Sequence, residues 1–312
     1  MSTWNKRFSL LLGLLLGAGS SAVAQEFNTH WIACPTADST RQVWFRQTYR
    51  SIGRPTQATL SVKTTGLFEL FVNERNVSTD VLTPYREDNT PTPITTEYDI
   101  TRFLRPEHNT IAIWYAPLSG SNDRRQLSVV YSGTMPNGQR FAHTSDENWL
   151  CRPANRRLLP NGNEGVDNRS YPLKWNSEEI DAACWVGATA MPNTQPEQTT
   201  ISRPPYKGYK VNLIRRQNYL DMEGDSILYE FGTAFKGWIR LTLRGTKPGE
   251  RIYIGGMDYV CNGKLDEQAY QKFVLPEYRR VLVWGDKHFR REQIQEVEAL
   301  EIVPYEHNPF HN

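Results

Sequence analysis

A chain of 312 residues with 38% hydrophobic content is long enough to bury the core of one large or two small domains, which excludes a disordered or low-complexity polypeptide. Its net charge of +2 offers no electrostatic footprint for nucleic acid. The four cysteines, at 34, 151, 184 and 261, form no CxxC and give poor support for zinc.

Lys6 and Arg7 precede the apolar run from Phe8 to Gly17, and Ala22-Val23-Ala24 supplies a small-residue cleavage site. This is the pattern of a secretory signal peptide over residues 1–24, cleaved after Ala24, too short and wrongly flanked for a membrane span. The mature protein is expected to be secreted or periplasmic, without membrane insertion after cleavage. No Cys follows the cleavage site, so a lipid anchor is not expected. In an oxidising compartment the cysteines can form one or two disulfides. Three pairings stay open, as do buried free thiols.

Strand signals recur from Gln42 onward: Val43 to Gln47, Leu60 to Val62, Phe68 to Val72, Ile111 to Tyr115, Leu127 to Tyr131. Each alternates apolar and polar positions or forms a short apolar run, and Gly, Pro and Asn turns separate them. Ile239, Leu241 and Leu243 alternate with Arg240, Thr242 and Arg244. Lys247-Pro248-Gly249-Glu250 is turn chemistry, and Arg251 to Ile254 returns as a second strand. Two short helices are expected, one starting at Ser177 and one over Asp266 to Lys272. The pattern predicts an all-β protein with two β-sandwich, jelly-roll-like domains in tandem. The first occupies residues 25–190. A Pro-, Thr- and Gln-rich linker spans 191–207, the second sandwich runs over 208–305, and 306–312 is a tail.

Several of these segments resemble the non-catalytic sandwiches of bacterial α-L-rhamnosidases. Trp31-Ile32-Ala33-Cys34-Pro35 is similar to the opening motif of those enzymes, and Trp44-Phe45-Arg46 to their first strand. Gly66 to Asn73 with Asp80 to Pro84, Tyr98 to Thr101, Leu104 to Asn109, and Asp181 to Trp185 match further elements of the N-terminal sandwich. Tyr229 to Gly232 and Phe235 to Gly245 resemble the sandwich ahead of the catalytic helical barrel. Departures occur at Glu74, where Gly is expected, at Thr233-Ala234, and after Phe289. The family's catalytic acids lie on the barrel, so no catalytic residue is carried over. The resemblance implies a carbohydrate-binding or accessory protein for rhamnose- or uronate-containing glycans. It also implies calcium as a possible cofactor, because some N-terminal sandwiches of the family hold rhamnose through it. The alternatives are a degenerate or split glycoside hydrolase, and a structural module docking with a separately encoded catalytic domain.

Sugar recognition needs flat aromatic faces beside planar hydrogen-bonding groups. Tyr85, Arg86, Asp88 and Asn89 combine these types on one loop. Trp114 leads towards a second loop with Asn122, Asp123 and Arg124, whose cation suits a uronate carboxylate. Calcium wants hard oxygen ligands on a loop. Asp88 and Asn89 are the preferred pair, with Asn122-Asp123 and Asp167-Asn168 as other choices. The adjacent acids Glu178/Glu179 and Asp266/Glu267 read as solvated surface charge. Neighbouring side chains diverge and do not make the facing pair that glycoside hydrolysis requires. Trp149, Trp175, Trp185 and Trp238 read as core.

Overall fold

From Ile111 to Ala116 every residue of the strand His108–Ala116 is buried. A strand with one wet face alternates, so this run requires cover on both faces. The computed structural model supplies it. The model describes residues 29–87, 90–172, 174–193, 200–202, 207–214 and 217–306. The expected signal peptide and the tail beyond Glu306 lie outside them. So does most of the expected linker, in which Thr200–Ser202 pairs in parallel with Ile94–Asp99.

The described residues are all-β, with 3-10 turns and no α-helix. A seven-stranded sheet, including Trp31–Ala33, Gln57–Thr64, Ile94–Asp99 and Leu127–Thr134, faces one end of a fifteen-stranded sheet. That end is built from Arg41–Arg50, Leu67–Val72, His108–Ala116 and Leu150–Leu158. Val43, Phe45, Ile111 and Ile113 point into the core of this first sandwich, against Leu60, Val62 and Val129. The intervening residues Trp44, Ala112 and Trp114 point the other way, into a second apolar layer with Trp175, Trp238, Phe273, Leu300 and Ile302. The middle sheet is therefore sandwiched twice. Trp149, Trp175, Trp185 and Trp238 are all buried, as their reading as core requires.

The second sandwich has its own core around Ile239, Leu241, Ile252, Tyr259 and Val283. Its spine is the strand Ile227–Leu243, which changes partner along its length. Residues Ile227 to Lys236 pair with Glu277–Gly285, and Gly237 to Leu243 pair with Ile294–Glu306. The crossing point is Gly237, where an added Cβ would stand 2.0 Å from the Leu300 carbonyl oxygen. Lys247 to Glu250 turns as expected, closed by the Glu250 N–H donating to the Lys247 carbonyl at 3.0 Å. The returning strand Arg251–Ile254 does not pair with Ile239 to Leu243, however. It pairs with Met257–Val260 and Glu277–Gly285. One sheet runs through both sandwiches because Glu164–Asp167 pairs in parallel with Met257–Val260.

Neither expected helix forms. The Ser177 hydroxyl donates to the Glu179 carbonyl at 2.7 Å and makes a bend, not an N-cap. Glu267–Ala269 is a strand paired with Leu241 to Leu243. Glu267 is also not a surface charge. It is 4% exposed and accepts from the Tyr259 hydroxyl at 2.8 Å, the Asn262 N–H at 2.7 Å, the Asn168 amide at 2.9 Å and the Thr246 hydroxyl at 3.1 Å. Enough donors surround it to replace water.

Asn73 and Glu74 close the hairpin from Leu67–Val72 to Arg75–Asn76 with φ of 50° and 72°. Asn73 tolerates this conformation and its amide is tied to the Phe103 carbonyl and to Asn109, each at 2.9 Å. Glu74 has no such compensation on its own backbone, and L-residues with a Cβ are strained there. Glu74→Gly should raise stability by about 1 kcal/mol, read as a higher urea midpoint. An unchanged or lower midpoint would show that the turn is relaxed with Glu.

Candidate functional site

Among the described residues, the expected sugar-binding groups lie at separate places in the fold. Arg86 lines a cleft of about 400 Å3 between the two sandwiches, with Leu82, Tyr209 and Phe273 to Pro276, and Tyr85 does not reach its lining. The Tyr85 ring packs on Tyr209 at 5.0 Å between centroids. The Arg86 guanidinium donates to the carbonyls of Thr90, Thr92, Thr64 and Gly66 at 2.8–3.3 Å. It pins two loops together. Asp88 and Asn89 lie outside the described residues.

Trp114 is 5% exposed and presents no ring face to solvent. Its Nε1–H donates to Gln42 at 2.8 Å, and its ring packs edge-on against Trp44 and Phe273. Lys272 and Arg156 approach the ring centroid to 4.8 and 5.9 Å. Period-two alternation puts Trp114 on the face opposite Ile113, as expected. That face is covered by the second sandwich, which local pattern does not reveal.

Asn122, Asp123 and Arg124 line a separate cleft of about 730 Å3, with Cys34, Asp38 and Thr189. Both Asp123 oxygens are engaged by Arg125, at 2.8–3.2 Å. Asp167 is likewise paired with Arg169, and Asn168 donates to Glu267. Among the described residues no group of three His, Cys, Asp or Glu side chains is placed to hold a metal ion. At both other loops considered for calcium, the carboxylate is thus engaged by a neighbouring arginine.

A third concavity was not legible as a site. It measures about 360 Å3 and sits at the open end of the first sandwich. Tyr131 forms its floor, with Tyr49, Phe141 and His143 as walls. Tyr49 and His143 stack at 4.8 Å, and Tyr131 and Phe141 meet edge-to-face at 5.0 Å. Arg50, Ser51, Asn137 and Gln139 bring polar groups to its lining. Tyr131 and His143 are cross-strand partners, as are Gly133 and Phe141. Gly133 makes room for the Phe141 ring, whose edge would lie 2.8 Å from an added Cβ. Tyr49 comes from the opposite sheet, so pairing logic within one hairpin cannot place it. Phe141 and His143, two apart on one strand, were the available sequence signal.

Burial pushes the Tyr131 hydroxyl up to about 12 and the Tyr49 hydroxyl up as well. Partial burial holds the His143 imidazole below the ordinary histidine value, against the opposing charge of Asp146. At neutral pH the lining is uncharged at these rings, which suits C–H patches of a ligand.

Two packed sandwiches, with no α-helix among the described residues, define an all-β protein of β-sandwich type. The chain belongs to the alpha-L-rhamnosidase N-terminal domain family, whose model matches residues 53–210. It is 19% identical over 258 residues to an alpha-L-rhamnosidase from Formosa agariphila, covering 73% of this chain and 26% of that one. The fold is shared with the alpha-L-rhamnosidase of Dictyoglumus thermophilum, with TM-score 0.76, 18% identity, and 89% of this chain and 36% of that one covered. It is also shared with the Streptomyces avermitilis enzyme solved with L-rhamnose, at TM-score 0.72 and 19% identity, covering 84% and 28%. The chain thus spans 26–36% of the length of these relatives.

These placements separate anchors from accessible groups. Arg86→Ala should lower stability by about 2–3 kcal/mol, since four carbonyls lose a charged donor. Asn122→Ala and Arg124→Ala, both exposed, should stay within about 0.5 kcal/mol of the parent. Chemical denaturation of the three variants checks the contrast.

Proposed function

We propose that the chain is an exported, non-catalytic glycan-binding accessory unit for rhamnose- or uronate-containing glycans. Export rests on the signal-type residues 1–24. The observation that carries the binding role is the aromatic concavity of Tyr49, Tyr131, Phe141 and His143, rimmed by planar hydrogen-bonding side chains. A pyranose packs its C–H face on such rings, and Arg50, Asn137 and Gln139 meet its hydroxyls. The cleft at Asn122 and Arg124 is the second subsite, and its exposed guanidinium suits a uronate carboxylate. Calcium, if used, is held at Asp88 and Asn89. The buried carboxylates Glu164 and Glu267 are occupied by structural hydrogen bonds, which favours a non-catalytic role.

Isothermal titration with L-rhamnose and pectic oligosaccharides tests this. Phe141→Ala should weaken rhamnose binding at least about tenfold, the loss of roughly 1.4 kcal/mol of ring contact. Arg124→Ala should weaken only the uronate-containing ligands, and a chelator should weaken binding if Asp88 and Asn89 hold the ion. Absence of heat with every glycan would refute the reading, and so would turnover of an aryl rhamnoside that a single Asp or Glu substitution abolishes.

A second reading, docking onto a separate catalytic domain, is favoured by an exposed apolar row on the second sandwich. Leu220, Leu228 and Leu282 are side by side on three adjacent strands. Trp284, two residues beyond Leu282 and therefore on the same face, stacks on Tyr253 at 4.0 Å. Leu220, Leu282 and Trp284 are 54%, 41% and 43% exposed. Sedimentation of the chain with a separately encoded rhamnosidase catalytic domain should give a complex that Leu282→Glu dissolves. Two independent species for the parent protein would remove this reading.

A further inference from the structure

Cys34 follows the strand Trp31–Ala33 of the seven-stranded sheet, and Cys151 lies in Leu150–Leu158 of the large sheet. Both are buried, at 4% and 0% exposure, in the core between those sheets. The two thiols face each other's sheet across this one core, and each perturbs the other's titration. Each is held from its own side. The Cys34 N–H donates to Gln126 Oε1 at 2.9 Å, and Cys151 is in register with Phe45 and Val186. The other two thiols are elsewhere: Cys184 is exposed, and Cys261 is in the core of the second sandwich. Only Cys34 and Cys151 share a core, so the fold favours the pairing that links these two.

We propose that Cys34 and Cys151 are a redox site that closes to an inter-sheet disulfide in the exported protein. Closure rests on the export part of the proposed function and not on its glycan part. The two thiols are chemically unequal. The neighbouring Cys151 thiol pulls the Cys34 thiol down to about 6 despite burial, aided by Thr36, whereas Cys151 is pushed up by Cys34 and by burial. Cys261 is pushed up by burial and by Glu267 and Glu250. Cys34 is thus the attacking thiolate and Cys151 the resolving thiol. Cys34 also borders the cleft of Asn122 and Arg124, from which an oxidant reaches it.

The oxidant is a small-molecule or protein disulfide. Cys34 thiolate attacks one of its sulfurs, forming a mixed disulfide and releasing one thiolate. Cys151 gives up its proton and attacks Sγ of Cys34, releasing the second. The chain loses two protons and two electrons, and the oxidant disulfide becomes two thiols. The bond ties together the two sheets of the first sandwich.

The experiment incubates the reduced full chain with oxidised glutathione, then denatures, alkylates and digests it without reductant. The expected result is a Cys34–Cys151 linked peptide, lighter by two hydrogens, with Cys184 and Cys261 alkylated. Cys151→Ser should trap glutathione on Cys34. Four alkylated cysteines, or a bond involving Cys184 or Cys261, would overturn the proposal. If Cys151→Ser fails to fold, the parent digest decides alone.

Discussion

The carboxylate of Glu164 is fully buried where the two sandwiches meet, and the architecture depends on its being satisfied there. Gln42 donates to it at 2.6 Å from the first sandwich, Arg156 at 2.8 Å, and the N–H groups of Lys272 and Phe273 at 2.7 and 3.0 Å from the second. Each oxygen accepts two bonds. A buried carboxylate short of partners costs several kcal/mol, so only the arrangement that supplies all four donors is tolerated. The group acts less as glue than as a register pin. It fixes which residues of the Lys272 to Leu275 segment sit opposite the Trp44 and Trp114 layer.

That layer gives the second half of the constraint. Trp44 stacks on Trp175 at 5.6 Å and meets Trp114 edge-on at 5.4 Å. Such pairs contribute about 0.5–1.5 kcal/mol each beyond burial. They also deny solvent the aromatic residues that local reasoning would choose for sugar stacking. Among the rings left open are Tyr49, Phe141 and His143 at one end of the first sandwich, where no second layer arrives, and Trp284 on the second.

The candidate binding groups are consequently distributed around the middle sheet. Loop groups such as Asn122 and Arg124 remain exposed on one side, and the aromatic concavity opens at another. Arg86, which reads by type as a sugar ligand, lines the cleft between the sandwiches and also donates to four loop carbonyls. A guanidinium with five donors serves either purpose equally well, and only the neighbouring carbonyls decide.

Sequence by itself determined the all-β class and the positions of most strands, because period-two alternation and Gly, Pro and Asn turns are local properties. It also determined the family, through segments such as Gly66 to Asn73. It placed Trp149, Trp175, Trp185 and Trp238 in the core. Tertiary structure decided what alternation cannot encode, namely what covers the second face of a sheet. It turned Trp114 inward, made Glu267 a buried acceptor, put the strand Glu267–Ala269 where a helix was expected, and placed Cys34 and Cys151 in one core. It also assembled Tyr49 with Phe141 and His143 from opposite sheets. Alternation reports that a residue faces away from its neighbours. Only packing settles whether water or another sandwich lies on the far side.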